Sequence, residues 1–413
     1  MIYLDHAATT RMEAGAVSAM LPFFSEQFGN PSAVYRIASK SKEAVAKARK
    51  QAASVIGADP SELYFTSGGT EADNWALTAA LDSFAKKAVS GRKGGRGHLI
   101  TSAVEHPAIL ATCEYLRRER GIDVTYLPVN RFGCVDPEQV RDAIRTDTFL
   151  ISVMTANNEV GTIEPVTRIG AIARERGILF HTDAVQAYGH IPLDVREMNI
   201  DLLSVSGHKF GGPKGTGFLY MRRGLKLGAF LHGGAQERNR RAGTENVPGI
   251  VGLGAAAEIA SSKMEERARY TASLRDYLEA SILRTIPFCH LNSAAEEKLP
   301  GTVNITFDYI AGESALILLD EKGICASAGS ACSSGSINPS HVLMAMGLSK
   351  EQAFSSLRFS IGADNTKEEM DVTVREMKAI AERLRAMSPK YAEAVKRRRG
   401  RRDREMPDAG RRE

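Results

Sequence analysis

From residue 62 to residue 221, short β-branched runs alternate with helix-patterned segments, and no other feature narrows the possible folds as far. ELYFTS (62–67), GHLITS (97–102), VTYLPV (124–129), TFLISVM (148–154), ILFHTD (178–183), LLSVSG (202–207) and GFLYM (217–221) read as strands. Several are apolar on both faces, as strands covered by helices must be. Helical patterns at 107–120 and 166–176 lie between them, each stopping at a glycine, Gly121 and Gly177, the residue that best tolerates a left-handed helix end. Such alternation means an α/β layer around a mainly parallel sheet.

After about residue 255 the order changes. A charged helical stretch around 256–285 precedes GTVNITF (301–307), a helix near 312–322, LRFSIG (357–362) and a last helix at 366–387. The expectation is a large sheet domain over 21–255 and a smaller α+β domain over 256–390. Residues 1–20 are expected to pack with the small domain, and 391–413 to form a basic tail.

Composition removes several function classes. The chain has 413 residues, 43% of them hydrophobic, enough for two cores. No apolar run approaches the ~18 residues of a membrane span, and no leader pattern is visible. Five scattered cysteines without CxxC spacing argue against a disulfide framework or a structural zinc site. The expected compartment is the reducing cytoplasm. The formal charge of +5 belongs to KRRRGRRDREMPDAGRRE (396–413), which holds nine Lys/Arg and four Asp/Glu. Such a tail is expected to be disordered. It is also the only place where nucleic-acid contact is conceivable, because no aromatic-basic stripe occurs elsewhere.

The strand ends carry the chemistry. In SVSGHKFGGPKG, Lys209 follows a buried-looking strand and precedes a Gly-rich turn. Ligands of open α/β sheets bind at such ends, and a lysine there can serve as a Schiff-base nucleophile. TSGGTEADN (66–74) places Gly68, Gly69 and Thr70 at the start of a helix, an anion site suited to one phosphate. The P-loop pattern is absent, which disfavours a nucleoside triphosphate. Asp183 ends an apolar strand and needs a partner such as a pyridinium nitrogen. His106 follows a third strand, and Asn157 and Asn158 follow a fourth. A phosphate cradle, an acid, an imidazole and a lysine at strand ends are what pyridoxal phosphate requires. Lys209 would bind its aldehyde, Asp183 would keep its ring nitrogen protonated, and His106 would stack on the ring and shuttle protons.

One further stretch needs explanation. GICASAGSACSSGSINPSH (323–341) puts Cys332 in a run with no large apolar side chain between Ala326 and Ser336. Buried structural thiols lie among aliphatic residues instead. The run reads as an exposed, mobile loop carrying a sulfur.

Taken together, YLDHAATT, FGNPSAVYR, FTSGGTEADN, EHPAIL, NNEVGTIEPV, HTDAVQ, SGHKFGGPKGTG, HGGAQERNRRAGTENV, GSACSSG and LRFSIG resemble the cysteine desulfurases of the NifS/IscS kind. These enzymes have the class V aminotransferase fold, a type I pyridoxal-phosphate fold. The resemblance runs from residue 3 to about 362. It implies pyridoxal 5′-phosphate bound through Lys209, and a phosphate held by Gly69, Thr70, Ser206 and His208. It implies Thr244 as a phosphate contact from the second subunit, hence a homodimer. Asn158 and Gln186 match contacts to the ring oxygen, and Asp183 the contact to the ring nitrogen. Arg358, together with Asn158, would bind the carboxylate of substrate L-cysteine, and Cys332 would accept its sulfur. Delivery would be to a partner such as an iron–sulfur scaffold or a tRNA-thiolation protein. No stable metal site is implied; Cys332 is at most a transient iron–sulfur ligand. Tyr35 stands where the family often has His, and Gly69 where it often has Ala. Competing expectations are a selenocysteine lyase, an aminotransferase of the same fold, or a non-catalytic sulfur or iron–sulfur assembly platform.

Overall fold

A computed structural model describes residues 1–89, 95–294, 296–328 and 338–396 of the chain. Twelve short strands appear among these residues: β1 (Ile2–Tyr3), β2 (Leu63–Thr66), β3 (His98–Ser102), β4 (Asp123–Leu127), β5 (Thr148–Ser152), β6 (Leu179–Asp183), β7 (Leu202–Ser206), β8 (Gly217–Met221), β9 (Cys289–Leu291), β10 (Thr302–Phe307), β11 (Ile324–Cys325) and β12 (Ser356–Ser360).

Seven of them form the large sheet, in the order β2-β8-β7-β6-β5-β3-β4. The pairs from β7 through β4 are parallel, and β8 alone runs antiparallel to both its neighbours. The expected α/β class therefore holds. The central strands are buried along their length because helices cover both faces, as the double-sided apolar runs anticipate. Helices Pro107–Arg120 and Val166–Arg176 end at the expected glycines, with φ of 67° and 63°. β3 leads to β4 on one side of the sheet and β5 to β6 on the other. This reversal opens a crevice at the carboxyl ends of β3 and β5, where open α/β sheets place ligands.

The small lobe is built on the antiparallel sheet β12-β10-β9, covered by helices Gly312–Glu321 and Lys367–Ala386. Its core includes Val303, Ile305, Phe307, Leu357, Phe359, Met370 and Met377. The N-terminal segment divides between the lobes. β1 pairs in parallel with β11, and Leu4 enters the small-lobe core, but Ala16 lies in the core of the large lobe.

One helix differs from its expected span. Val247–Thr285 begins nine residues before 256 and runs 39 residues, about 58 Å at 1.5 Å per residue. Its first half packs in the large lobe (Ile250, Leu253, Ala257), and its second half in the small lobe (Leu274, Leu278, Ile282). Gly252 and Gly254, poor helix formers taken alone, are contact points here. A Cβ on Gly252 would lie 2.4 Å from Met20 Sδ, and one on Gly254 would lie 2.5 Å from Ala48 Cα. Asn246 caps the helix by accepting from Gly249 N–H at 3.1 Å. Among the described residues no helix is long and apolar enough to cross a membrane.

Candidate active site

Each strand end in the crevice delivers one polar group. After β7 the chain turns through Gly207–Lys209. Lys209 Nζ then donates to the carbonyls of Ala7 and Ala8 at 2.6 and 2.9 Å. Next to β7 is β6, whose last residue is Asp183; its Oδ1 accepts from Val185 N–H at 2.8 Å. Burial pushes the Asp183 carboxyl upward, while His106, the Val185 amide and Lys209 pull it back toward ionisation. His106 follows β3 and caps helix Pro107–Arg120, its Nδ1 accepting from Ala108 N–H at 3.1 Å. That bond leaves the ring proton on Nε2. Burial lowers its pKa, Asp183 opposes the shift, and Lys209 and His341 add to it.

The glycine pair stands where the sequence places it. Helix Gly69–Val89 starts at Gly69, so its first amides have no partner inside the helix. A Cβ on Gly69 would lie 2.7 Å from Val185 Cγ2, and one on Gly68 would lie 3.6 Å from Ser206 Oγ. The bare backbone of Gly69 thus approaches Val185 closely, and the free amides of the helix start lie near the Ser206 hydroxyl. His208 hydrogen-bonds Thr9 Oγ1 at 3.1 Å, and burial, with Lys209 and Lys214 nearby, brings it down to about 4. Two cavities of about 420 Å³ flank the row. Thr70, Asn74, His106 and Tyr115 line one; Gln186, Lys209, His6 and Arg267 line the other, between the lobes.

From the small lobe comes Arg358 on β12, almost wholly buried. Its Nη1 donates to Asn158 O at 2.8 Å and its Nη2 to Asp5 Oδ1 at 2.7 Å, while Nε has no partner among the described residues. Gln186 Nε2 donates to Ala7 O at 3.0 Å. Thr244 is exposed, but its loop is tied to the cradle helix by Arg241, which grips Glu71 at 2.8 and 3.1 Å. Tyr35 is exposed at the head of helix Arg36–Ser54. Cys332 lies outside the described residues, as does most of the basic tail. Cys113 is buried, and Cys134, Cys289 and Cys325 are half-buried free thiols. Among the described residues no group of three or more His, Cys, Asp or Glu could hold a metal ion.

Several residues at the site carried no role in the sequence reading. Asp5 grips Arg358, Ala7 and Ala8 accept from Lys209, and Thr9 meets His208. The YLDHAATT turn is thus a hub for four of the expected site residues, Arg358, Lys209, His208 and Gln186. Its signal in the sequence is YLDHAATT itself, the first of the segments that carry the resemblance, with no role attached to its residues. Behind the row lie two buried acids, Asp73 and Glu105. Burial raises both, Asp73 well above the carboxylate range and Glu105 to about 8.

Comparison with known proteins agrees with this geometry. The Aminotransferase class-V family profile matches residues 2–372. A relative from Methanosarcina thermophila, Cysteine desulfurase IscS, is 54% identical over 94% of this chain and 94% of its own length. The protein of that name from Dictyoglomus turgidum is 46% identical over 94% of this chain and 96% of its own. Among solved structures, a NifS-like protein superposes with a TM-score of 0.85 at 37% identity, covering 92% of this chain and 99% of the other. SspA in complex with cysteine superposes at 0.76 with 38% identity, covering 89% and 100%. A profile spanning both lobes, and identities of this size over nearly full length, place this protein in the class V aminotransferase family.

Proposed function

We propose that this protein is a cysteine desulfurase that works with pyridoxal 5′-phosphate, the cofactor of its family. L-cysteine is the substrate, L-alanine the product, and the sulfur stays on Cys332 as a persulfide. One observation carries the reading: a lysine, a buried acid, an N-capping imidazole and a bare glycine helix start converge at one sheet edge, joined there by a buried arginine. The names of the full-length relatives support it, as does the neighbour solved with cysteine. The completeness of the set speaks against a non-catalytic platform.

The residues present fit the cofactor. Gly69, Thr70, Ser206 and His208 would hold its phosphate, with Thr244 reaching across from the second subunit of a homodimer. Asp183 would face the ring nitrogen, Asn158 and Gln186 the ring oxygen, and Lys209 would hold the aldehyde carbon. When bound, the cofactor supplies the electron sink that makes the substrate's carbon–sulfur bond cleavable.

The chain does the rest. The Nε–H of Arg358, without a partner among the described residues, and its remaining donors suit a carboxylate, and Asp5 and the Asn158 carbonyl hold the guanidinium still. Lys209 and neutral His106 are the proton carriers next to Asp183. The Cys332 thiolate attacks the sulfur of cysteine: a sulfur–sulfur bond forms, the carbon–sulfur bond breaks, and the carbon skeleton takes a proton and leaves as alanine. Cysteine plus thiol becomes alanine plus persulfide, with no outside oxidant. The persulfide then passes to an acceptor such as an iron–sulfur scaffold in the cytoplasm.

Labelled sulfur on the protein after one turnover tests this. Cys332→Ser should lose the label while still binding cofactor and cysteine, and Cys325→Ser, whose thiol sits in the β1–β11 pair, should keep it. The opposite pattern names the wrong cysteine.

A further inference from the structure

Residues 329–337, which carry Cys332, lie outside the described residues, but both flanking stretches are among them. On the leading side, Ser327 pairs with Arg358 in both directions: Ser327 N–H to Arg358 O at 3.0 Å and Arg358 N–H to Ser327 O at 2.6 Å. On the returning side stands Ser340, which caps the five-residue helix His341–Ala345. Its Oγ accepts from Leu343 N–H at 3.1 Å and donates to Glu159 Oε2 at 2.5 Å. His341 Nε2 donates to the carbonyl of Glu105 at 2.9 Å, one residue before His106. Val342 and Leu343 pack on Val104 and Val160, one residue before Glu105 and one after Glu159.

Glu159 is itself locked in place. Its amide donates to Asn157 Oδ1 at 2.8 Å, and its carbonyl accepts from Asn304 Nδ2 at 3.0 Å. Asn304 is the strand partner of Arg358. The carboxyl is buried and feels the Arg358 charge. A single five-residue helix has no stability of its own, so these contacts decide where the returning stretch sits.

We propose that Glu159, through Ser340, and His341, through the Glu105 carbonyl, are positioning residues that fix the returning root of the thiol-bearing segment against the Arg358 corner and the His106 turn. The proposal rests on the desulfurase reading, since it assigns the anchors to the step in which Cys332 meets the substrate sulfur. It gives them no part in binding cofactor or cysteine.

The test uses the holoenzyme of Ser340→Ala, Ser340→Thr and Glu159→Ala. Ser340→Ala and Glu159→Ala should keep the cofactor spectrum and a cysteine KM within about twofold of wild type. Alanine release in a single turnover should fall about tenfold or more. Ser340→Thr, which keeps the hydroxyl, should recover to within about threefold. Amide exchange across 341–345 should quicken in both alanine variants and not in the threonine variant. Unchanged single-turnover rates in the alanine variants would overturn the proposal, as would a loss of rate matched by a loss of cofactor. If wild type itself releases no alanine from cysteine, the desulfurase reading fails, and the exchange comparison alone still decides whether Glu159 and Ser340 anchor the segment.

Discussion

Glu105→Gln should flatten the dependence of stability on pH. Glu105 is fully buried behind the His106 turn. Its Oε1 accepts from Ser102 Oγ at 2.6 Å and Met154 N–H at 2.9 Å, and Oε2 has no partner among the described residues. Burial raises the group from 4.5 to about 8; Ser102 and Met154 oppose the shift, and Asp183 and Glu164 add to it. The folded pKa is the higher one, so between these values the folded protein holds a proton that the unfolded chain has released. Stability from this group is complete below the unfolded value and drains away as pH climbs toward the folded value. The slope is about 1.4 kcal/mol per pH unit for one proton. From pH 5 to pH 8 that gives an upper bound of roughly 4 kcal/mol, and relaxation around the charge brings the expected loss to about 2–3 kcal/mol. The amide cannot ionise, so the variant lacks this share of the decline. Its NH₂ replaces the unpartnered oxygen at a cost of about 1–3 kcal/mol, equal at every pH and absent from the difference. The assay is urea unfolding of both holoenzymes at pH 5.0, 6.5 and 8.0 and one protein concentration. The single tryptophan, buried Trp75, reports the transition. Curves for wild type and variant that stay parallel across this range would refute the reasoning.

Lys209→Ala should abolish turnover and any borohydride-reducible cofactor adduct; an adduct that survives would move the role to another lysine. Arg358→Lys keeps the charge but loses the planar fork. Cysteine KM should rise about ten- to a hundredfold, equivalent to about 1.5–3 kcal/mol, with cofactor affinity nearly unchanged, as steady-state kinetics and cofactor titration would tell. Gly254→Ala should destabilise the protein by about 1–3 kcal/mol through overpacking, although alanine is the better helix former by about 1 kcal/mol. Its Cβ would press on the Ala48 backbone at 2.5 Å, and a raised melting temperature would show that the two helices can part.

The elements most legible beforehand are those whose signals are local. β6 ends at Asp183 and β7 at Ser206, and two helices stop at Gly121 and Gly177. Period, apolar runs and terminal glycines act over a few residues, so a single chain displays them. The helix Val247–Thr285 starts earlier than its charged stretch because glycine, a poor helix former by itself, is held there by packing. Gly252 and Gly254 are there for Met20 and Ala48, partners about two hundred residues away.

The sequence by itself determined the α/β class, the row of groups at the strand ends and the resemblance that names their chemistry. Strand ends of a parallel sheet must meet at one edge, so Gly69, His106, Asp183 and Lys209 could be assembled on paper. What only the tertiary structure decided is the company they keep. Asp5 on Arg358, Ala7 on Lys209 and Glu159 on Ser340 join residues 181 to 353 positions apart. Hydrogen bonds and ion pairs act over about 3 Å, and no pattern along the chain encodes which distant segments come that close. Two lobes closing on one N-terminal turn settle it.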